Sequence, residues 1–366
     1  MLTGMTRQAP HDPDVAEAMR TFFRATGRRI SPHFIQPSLR NDPESIASSY
    51  ANFLKSGSWR TNLITRPGGT RRYAIGMGIG SGNLEFLTKR SALVADTLLL
   101  THSGQGAYHK VRDENHSPGM RGSPITNEPG IPSRSAAEIG IICPDIREVG
   151  KWIIEAKELM TQGLVWYMPS FAQRREERIE VLEEPNPIDF LIHDGIFVPT
   201  SREHPLARDA VRVVLNLDLP FIDGVSLKEF SEITADEAHA YQGFRSFLRK
   251  KILELDSALD AVHSEQTLAL LNAEISDSLR ETEAVMRDIK GMRKFTHGTF
   301  VGTTAATVYA ARGDALPSAI EAVAGTMIGG GLLFDYWQSR KEQSRRVDEL
   351  RTSGWYYIWR LENINA

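Results

Sequence analysis

The sequence predicts a mixed α/β N-terminal half with a partly parallel sheet, followed by an all-α C-terminal part. Three observations lead there. Between residues 45 and 170, short apolar runs alternate with amphipathic stretches, the pattern of strands joined by helical crossovers. From Thr234 to Ile289, apolar residues recur at spacings of three and four with charge between them and no proline. Residues 298–311 and 318–334 are then two small-residue-rich, weakly apolar segments, read as a Gly/Ala-rich helical hairpin. The expected organisation is an N-terminal arm with a short helix over 1–40, a mixed α/β domain over 41–233 and a helical domain over 234–366.

The short helix covers residues 13–27, where Val15, Met19, Phe22 and Phe23 share a face and Gly27 supplies the stop. Ile46 to Leu54 reads as a helix, Arg72 to Ile75 as a short strand, Leu84 to Val94 as a helix and Thr97 to Leu100 as a buried strand. A long loop rich in Gly, Pro and Ser runs from His102 to about Ser135. Ile139 to Ile142 is a further strand, and Ile146 to Gln162 a helix opened by Asp145 and closed by Gly163. Leu164 to Tyr167 is a strand ended by Pro169. Residues 170–210 are charged and punctuated by Pro185, Pro187, Pro199 and Pro205, and Ala210 to Leu217 alternates as one more strand. Tyr241, Phe244, Leu248, Ile252, Leu255, Leu259 and Val262 then mark one face of an amphipathic helix approaching coiled-coil length.

Composition limits the function classes. A hydrophobic share of 41% and a charged share of 24% suit a chain with a real core. The formal charge of -3 lacks the positive excess of a dedicated nucleic-acid binder. Cys143 is the one cysteine, so an intrachain disulfide and a multi-cysteine zinc site are both excluded. No signal-peptide pattern follows the first residues, and no run reaches the roughly 18 apolar residues of a spanning helix, so a cytoplasmic location is expected. No metal and no cofactor is implied.

The strongest chemical signal is the stretch Ile75-Gly76-Met77-Gly78-Ile79-Gly80-Ser81-Gly82 between a strand and a helix. Backbone amides of such a loop can cradle a phosphate, which makes Gly76, Gly78, Gly80, Ser81 and Gly82 candidate ligand-binding residues. The spacing fits neither standard dinucleotide fingerprint nor a P-loop, so a plain turn or bulged hairpin competes with that reading. His102, His109 and His116, with Asp96, Asp113 and Glu114, form a second candidate, of which His102 is placed beside the glycine loop as a ligand-binding residue. Their spacing imposes no common face. His193-Asp194 could orient an acid or base, or simply mark a helix terminus before Gly195. No serine has the flanks of a nucleophile elbow.

In the C-terminal part, Gly325 and Gly329 make a Gly-x-x-x-Gly step mirrored by Gly302, so these three are the expected helix–helix contacts. Insertion of this 298–334 hairpin into a membrane is the alternative. Short arms and the charges of Arg312, Asp314 and Glu321 oppose it. The aromatic end, Trp355-Tyr356-Tyr357-Ile358-Trp359, is expected to pack back on the fold.

Four stretches carry a resemblance: Ala92 to Leu100, Gly163 to Val165, Leu219 to Gly224 and Tyr356 to Leu361. They are similar to stretches of bacterial cytosolic proteins of uncharacterised function. The resemblance implies a bacterial cytosolic origin and transfers no activity and no catalytic residue. The expected function is a non-enzymatic interaction or assembly protein, the α/β half recognising a protein partner and the helical half oligomerising or transmitting a signal. An enzyme acting on a phosphorylated or nucleotide ligand held by Gly76–Gly82 is the alternative, and a membrane-active effector the second alternative.

Overall fold

A computed structural model describes residues 12–56, 73–80, 83–102, 104–111, 138–183, 185, 189–193, 196–200, 205–217, 219–256, most of 270–284, and 354–363. The fold mixes helices with two sheets, one of them largely parallel.

The N-terminal helices start where their caps dictate. Asp12 accepts hydrogen bonds from the amides of Asp14 (3.1 Å) and Val15 (3.2 Å), and Pro13 opens α1 (Pro13–Thr26). Its buried face carries Val15, Met19 and Phe22. Phe22 then meets Tyr50 and Phe53 of α2 (Pro43–Ser56) through tilted and edge-on ring contacts.

β1 (Ala74–Ile79) leads into α3 (Leu84–Ala92), which returns the chain to β2 (Thr97–Thr101), parallel to β1. β3 (Ala107–Lys110), β4 (Glu138–Cys143), α4 (Ile146–Glu155) and α5 (Lys157–Thr161) follow, and then β5 (Val165–Tyr167) pairs parallel with β2. β6 (Ser170–Arg175) and β7 (Arg178–Glu183) form a hairpin, and β8 (Phe190–His193) pairs parallel with the other side of β1. β9 (Ile196–Pro199) closes that sheet antiparallel to β8, giving the order β5-β2-β1-β8-β9. The second sheet, β3-β4-β6-β7, is antiparallel throughout.

Helices then cover the parallel sheet. α6 (Pro205–Asn216), α7 (Pro220–Asp223), α8 (Leu227–Asp236) and α9 (Ala238–Asp256) follow, and two buried neighbours on α3, Lys89 and Arg90, bind the chain between the end of α6 and the start of α8. Lys89 donates to the carbonyl of Val225 (2.6 Å) and to Glu85 (2.9 Å). Arg90 donates to the carbonyls of Val214 and Leu217 at the end of α6 and grips Asp223 with two bonds of 2.9 and 3.1 Å. In return, Arg245 and Arg249 of α9 bind the carbonyls of Ala95 and Val94, and Arg249 adds Asp96 at 2.8 Å. Cations thus satisfy carbonyls that end α3 and α6. The last helix, α10 (Gly354–Glu362), lies on α9, with Tyr357 against Tyr241 and Trp355 against Phe244. Gly354 sits so close to the amide of Phe244 that a methyl group there would collide with it. One hydrophobic core runs from Val15 to Leu361, through the helices and through strands β1, β2, β4, β5, β6 and β8.

Several expectations are corrected. Ala210 to Leu217 is helical, not a strand: Ala210, Val211 and Val214 fall three and four apart on the buried face of α6, and tertiary burial overrides their β preference. The charged stretch 170–210 holds β6 to β9, and the long loop after His102 holds β3. The single helix expected over 146–162 is broken at Ala156. His193 ends strand β8 rather than a helix. The aromatic terminus packs back as expected, as a helix. Phe244, Leu248 and Ile252 are buried as the periodicity predicts. Leu259 and the hairpin 298–334, with Gly302, Gly325 and Gly329, lie outside the described residues, as does the side chain of Leu255. No helix among the described residues is long and apolar enough to cross a membrane.

Candidate functional site

In the parallel sheet the chain moves from β1 through β2 to β5 in one direction, while β8 lies on the other side of β1. Ligands of open α/β sheets bind outside the carboxyl ends of the strands where the order reverses, here between β1 and β8. The glycine stretch is therefore at the right place but is used differently from the expectation. Gly76 and Gly78 are not loop residues, because β1 continues through Ile79. The Gly76 amide donates to the Asp189 carboxylate at 2.7 Å, and that of Gly80 to the Ile192 carbonyl at 2.8 Å. Ile75, Met77 and Ile79 occupy one face of the strand, leaving the glycines on the other. Gly80 follows β1, and Asn83, at the start of α3, caps the Phe86 amide at 3.0 Å. Ser81 and Gly82 lie outside the described residues.

His102 follows β2 at the same carboxyl edge, but it is a core residue, 2% exposed. Its Nδ1 lies 2.8 Å from the Tyr167 hydroxyl, and Tyr50 donates to the Tyr167 carbonyl at 2.7 Å. Burial pushes the imidazole pKa down to about 4 and raises both phenols, so His102 is neutral and tied to protonated tyrosines. The group joins α2, β2 and β5. His109 stands on β3 with Nε2 3.0 Å from the Cys143 carbonyl, so the histidines do not converge. His116, Asp113 and Glu114 lie outside the described residues. Among the described residues no group of three or more His, Cys, Asp or Glu side chains is arranged to hold a metal. Burial, with smaller contributions from Asp145 and Glu148, pushes the Cys143 thiol up to about 12, which leaves it a poor nucleophile.

Beside the start of α3, a cleft of ≈ 460 Å³ opens between α3, α4 and the first residue of α8. Asn83, Leu84, Trp152 and Leu227 line it together with Glu85, Glu148, Glu155 and Lys151. Trp152 is fixed by its Nε1 donating to Thr88 Oγ1 at 2.8 Å. Burial raises the pKa of Glu148 and Glu155. Three carboxylates against one ammonium make the cleft unfavourable for a phosphate. No sequence signal marked it, because its charges come from two helices far apart in the chain, Glu85 on α3 and Glu148, Lys151 and Glu155 on α4.

Among the described residues the β6–β7 hairpin is a second candidate surface. Every residue from Arg174 to Leu182 is exposed, on both faces, and β7 ends its sheet among the described residues. Ile179 (50% exposed), Val181 (45%) and Leu182 (47%) are large apolar side chains left in water there. Leu191 and Val198 are likewise exposed and directly opposite each other on β8 and β9. Charge between the apolar residues hid β7 in the sequence.

Comparison with family models, with curated proteins and with solved structures finds no match to this chain.

Proposed function

We propose that the chain is a non-enzymatic recognition and assembly protein of the bacterial cytoplasm, whose α/β half binds an extended segment of a protein partner along β7. The exposed edge strand carries this reading. An edge of unpaired backbone groups with aliphatic side chains in water is a template for a further strand. In this reading residues 234–366 form an all-α part that assembles or transmits. His102 and Cys143 are, by their burial and neighbours, parts of the core rather than reagents.

The test is capture with the tagged full-length chain, wild type against Val181→Lys. A Lys in the middle of β7 leaves the exposed hairpin folded and blocks an incoming aliphatic face. Proteins retained by the wild type and lost by the variant are the expected result. Equal retention by both would remove β7 as the recognition surface.

One observation favours a second reading. The strand order reverses between β1 and β8, and Gly80 lies at the carboxyl end of β1, the kind of position at which α/β enzymes hold phosphorylated or nucleotide ligands. The acidic lining of the adjacent cleft weighs against it. A thermal-shift series with nucleotides decides: stabilisation abolished by Gly80→Ala would move the function to this edge.

A further inference from the structure

The β6–β7 hairpin closes on the turn Glu176-Glu177, with Arg175 opposite Arg178, Arg174 opposite Ile179, Gln173 opposite Glu180 and Ala172 opposite Val181. In a hairpin with a two-residue turn the flanking pair exchanges both backbone hydrogen bonds, and inward and outward backbone groups then alternate along the strand. Arg178 and Glu180 thus face β6, while Ile179 and Val181 turn N–H and C=O to the open side. Only a strand that meets these two residues with its own outward-facing residues can extend the sheet.

We propose that this strand is β7 of a second copy of the chain, antiparallel and centred on Glu180, so that two 4-stranded sheets join into one. The proposal rests on the recognition reading above and names its partner. In this register Ile179 of each copy lies opposite Val181 of the other. The backbone groups that end the sheet are then used, and one face gains a continuous aliphatic strip from exposed side chains, with the buried Ala172 behind Val181.

The other face supplies the charge argument. Arg175 stands directly opposite Arg178 within each hairpin, a like-charge pair that costs stability. Among the described residues neither of them makes an ion pair. Pairing centred on Glu180 brings the two Glu180 carboxylates together at the axis, between the Arg178 side chains of both copies. Each Arg178 then lies diagonal to Glu180 of the other copy, and these two attractions offset the repulsion between the two Glu180 carboxylates. Registers centred one residue to either side fail this test. They set Ile179 against Glu183 or Val181 against Glu177.

The experiment is sedimentation velocity of the full chain across a wide concentration range, for the wild type and variants of β7. The wild type should reach twice the chain mass of 40.9 kDa. Ile179→Pro removes an amide that points away from β6, so the hairpin keeps its own bonds and only the pairing is lost. It should sediment as a monomer with an unchanged circular dichroism spectrum, as should Val181→Lys. Arg178→Glu and Glu180→Arg should each weaken the dimer, and the double variant should restore it, because the diagonal pair is merely exchanged. A wild type that stays monomeric, or an oligomer that survives Ile179→Pro, overturns the proposal. A monomeric wild type whose capture of other proteins still depends on Val181 leaves the recognition reading standing while self-pairing falls. Loss of both results removes both.

Discussion

Replacing Arg90 with Met tests the argument that buried cations hold α6 and α7 to α3. The Arg90 side chain is 6% exposed, and it donates to the Val214 and Leu217 carbonyls and to both oxygens of Asp223. Methionine fills similar apolar volume beside Phe86 but donates nothing. The Asp223 carboxylate, 45% exposed, recovers its hydrogen bonds from water. The two carbonyls belong to residues buried to within 2% and do not. An orphaned buried acceptor costs about 1–3 kcal/mol, so the pair should cost about 2–5 kcal/mol. Asp223→Asn removes only the exposed partner and should cost less than about 1 kcal/mol. Urea unfolding followed by circular dichroism gives both values, with unchanged denaturant slopes showing that the same surface unfolds. Equal costs for the two variants, or an Arg90→Met loss below about 1 kcal/mol, would refute the claim that the carbonyls depend on this guanidinium.

Three further outcomes are expected. His102 is held neutral, with its pKa lowered from 6.5 to about 4. The unfolded state therefore binds the proton first as pH falls, and between roughly pH 7 and pH 5 the chain should lose about 2 kcal/mol that His102→Gln does not lose; parallel pH dependence in the two proteins would contradict it. Trp152→Phe keeps an aromatic ring but deletes the bond to Thr88, and should cost about 1–2 kcal/mol in the same urea assay. In α4, a methyl group at Gly150 would collide with the Pro43 carbonyl at the start of α2. Gly150→Ala should therefore cost about 1–3 kcal/mol, and a neutral result would mean that α2 and α4 part freely.

The sequence reading located the elements whose burial is one-sided and strong. Thr97–Leu100 and Ile139–Ile142 stood out as short continuous apolar runs, and Val15, Met19 and Phe22 because they follow the helical period. It failed where burial and pattern part company. β7 reads Arg-Ile-Glu-Val-Leu-Glu and is exposed on both faces, so no core imposes alternation on it. Ala210 to Leu217 is rich in valine, and only the helices that enclose it decide between strand and helix. For the candidate site, Gly80 and His102 were legible as residues of interest, but their roles depended on strand limits. Two glycines between Ile75 and Ile79 looked like a loop, although alternate side chains on a central strand need not be large when the other face carries the packing. The cleft charges and the outward backbone of β7 arise only from three-dimensional neighbours.

The consecutive cations Lys89 and Arg90 set an order of events during synthesis. Their acceptors at Val225 and Asp223 lie 136 and 133 positions later in the chain. At translation rates of roughly 5–20 residues per second, α3 waits on the order of ten seconds for these two acceptors. Until then Lys89 has Glu85 of its own helix, while Arg90 lacks Asp223 on the face that α3 must bury. A nascent or truncated chain ending before residue 214 is in the same position permanently. The fold is therefore completed from its late residues backward, and its first crossover helix is among the last to become secure.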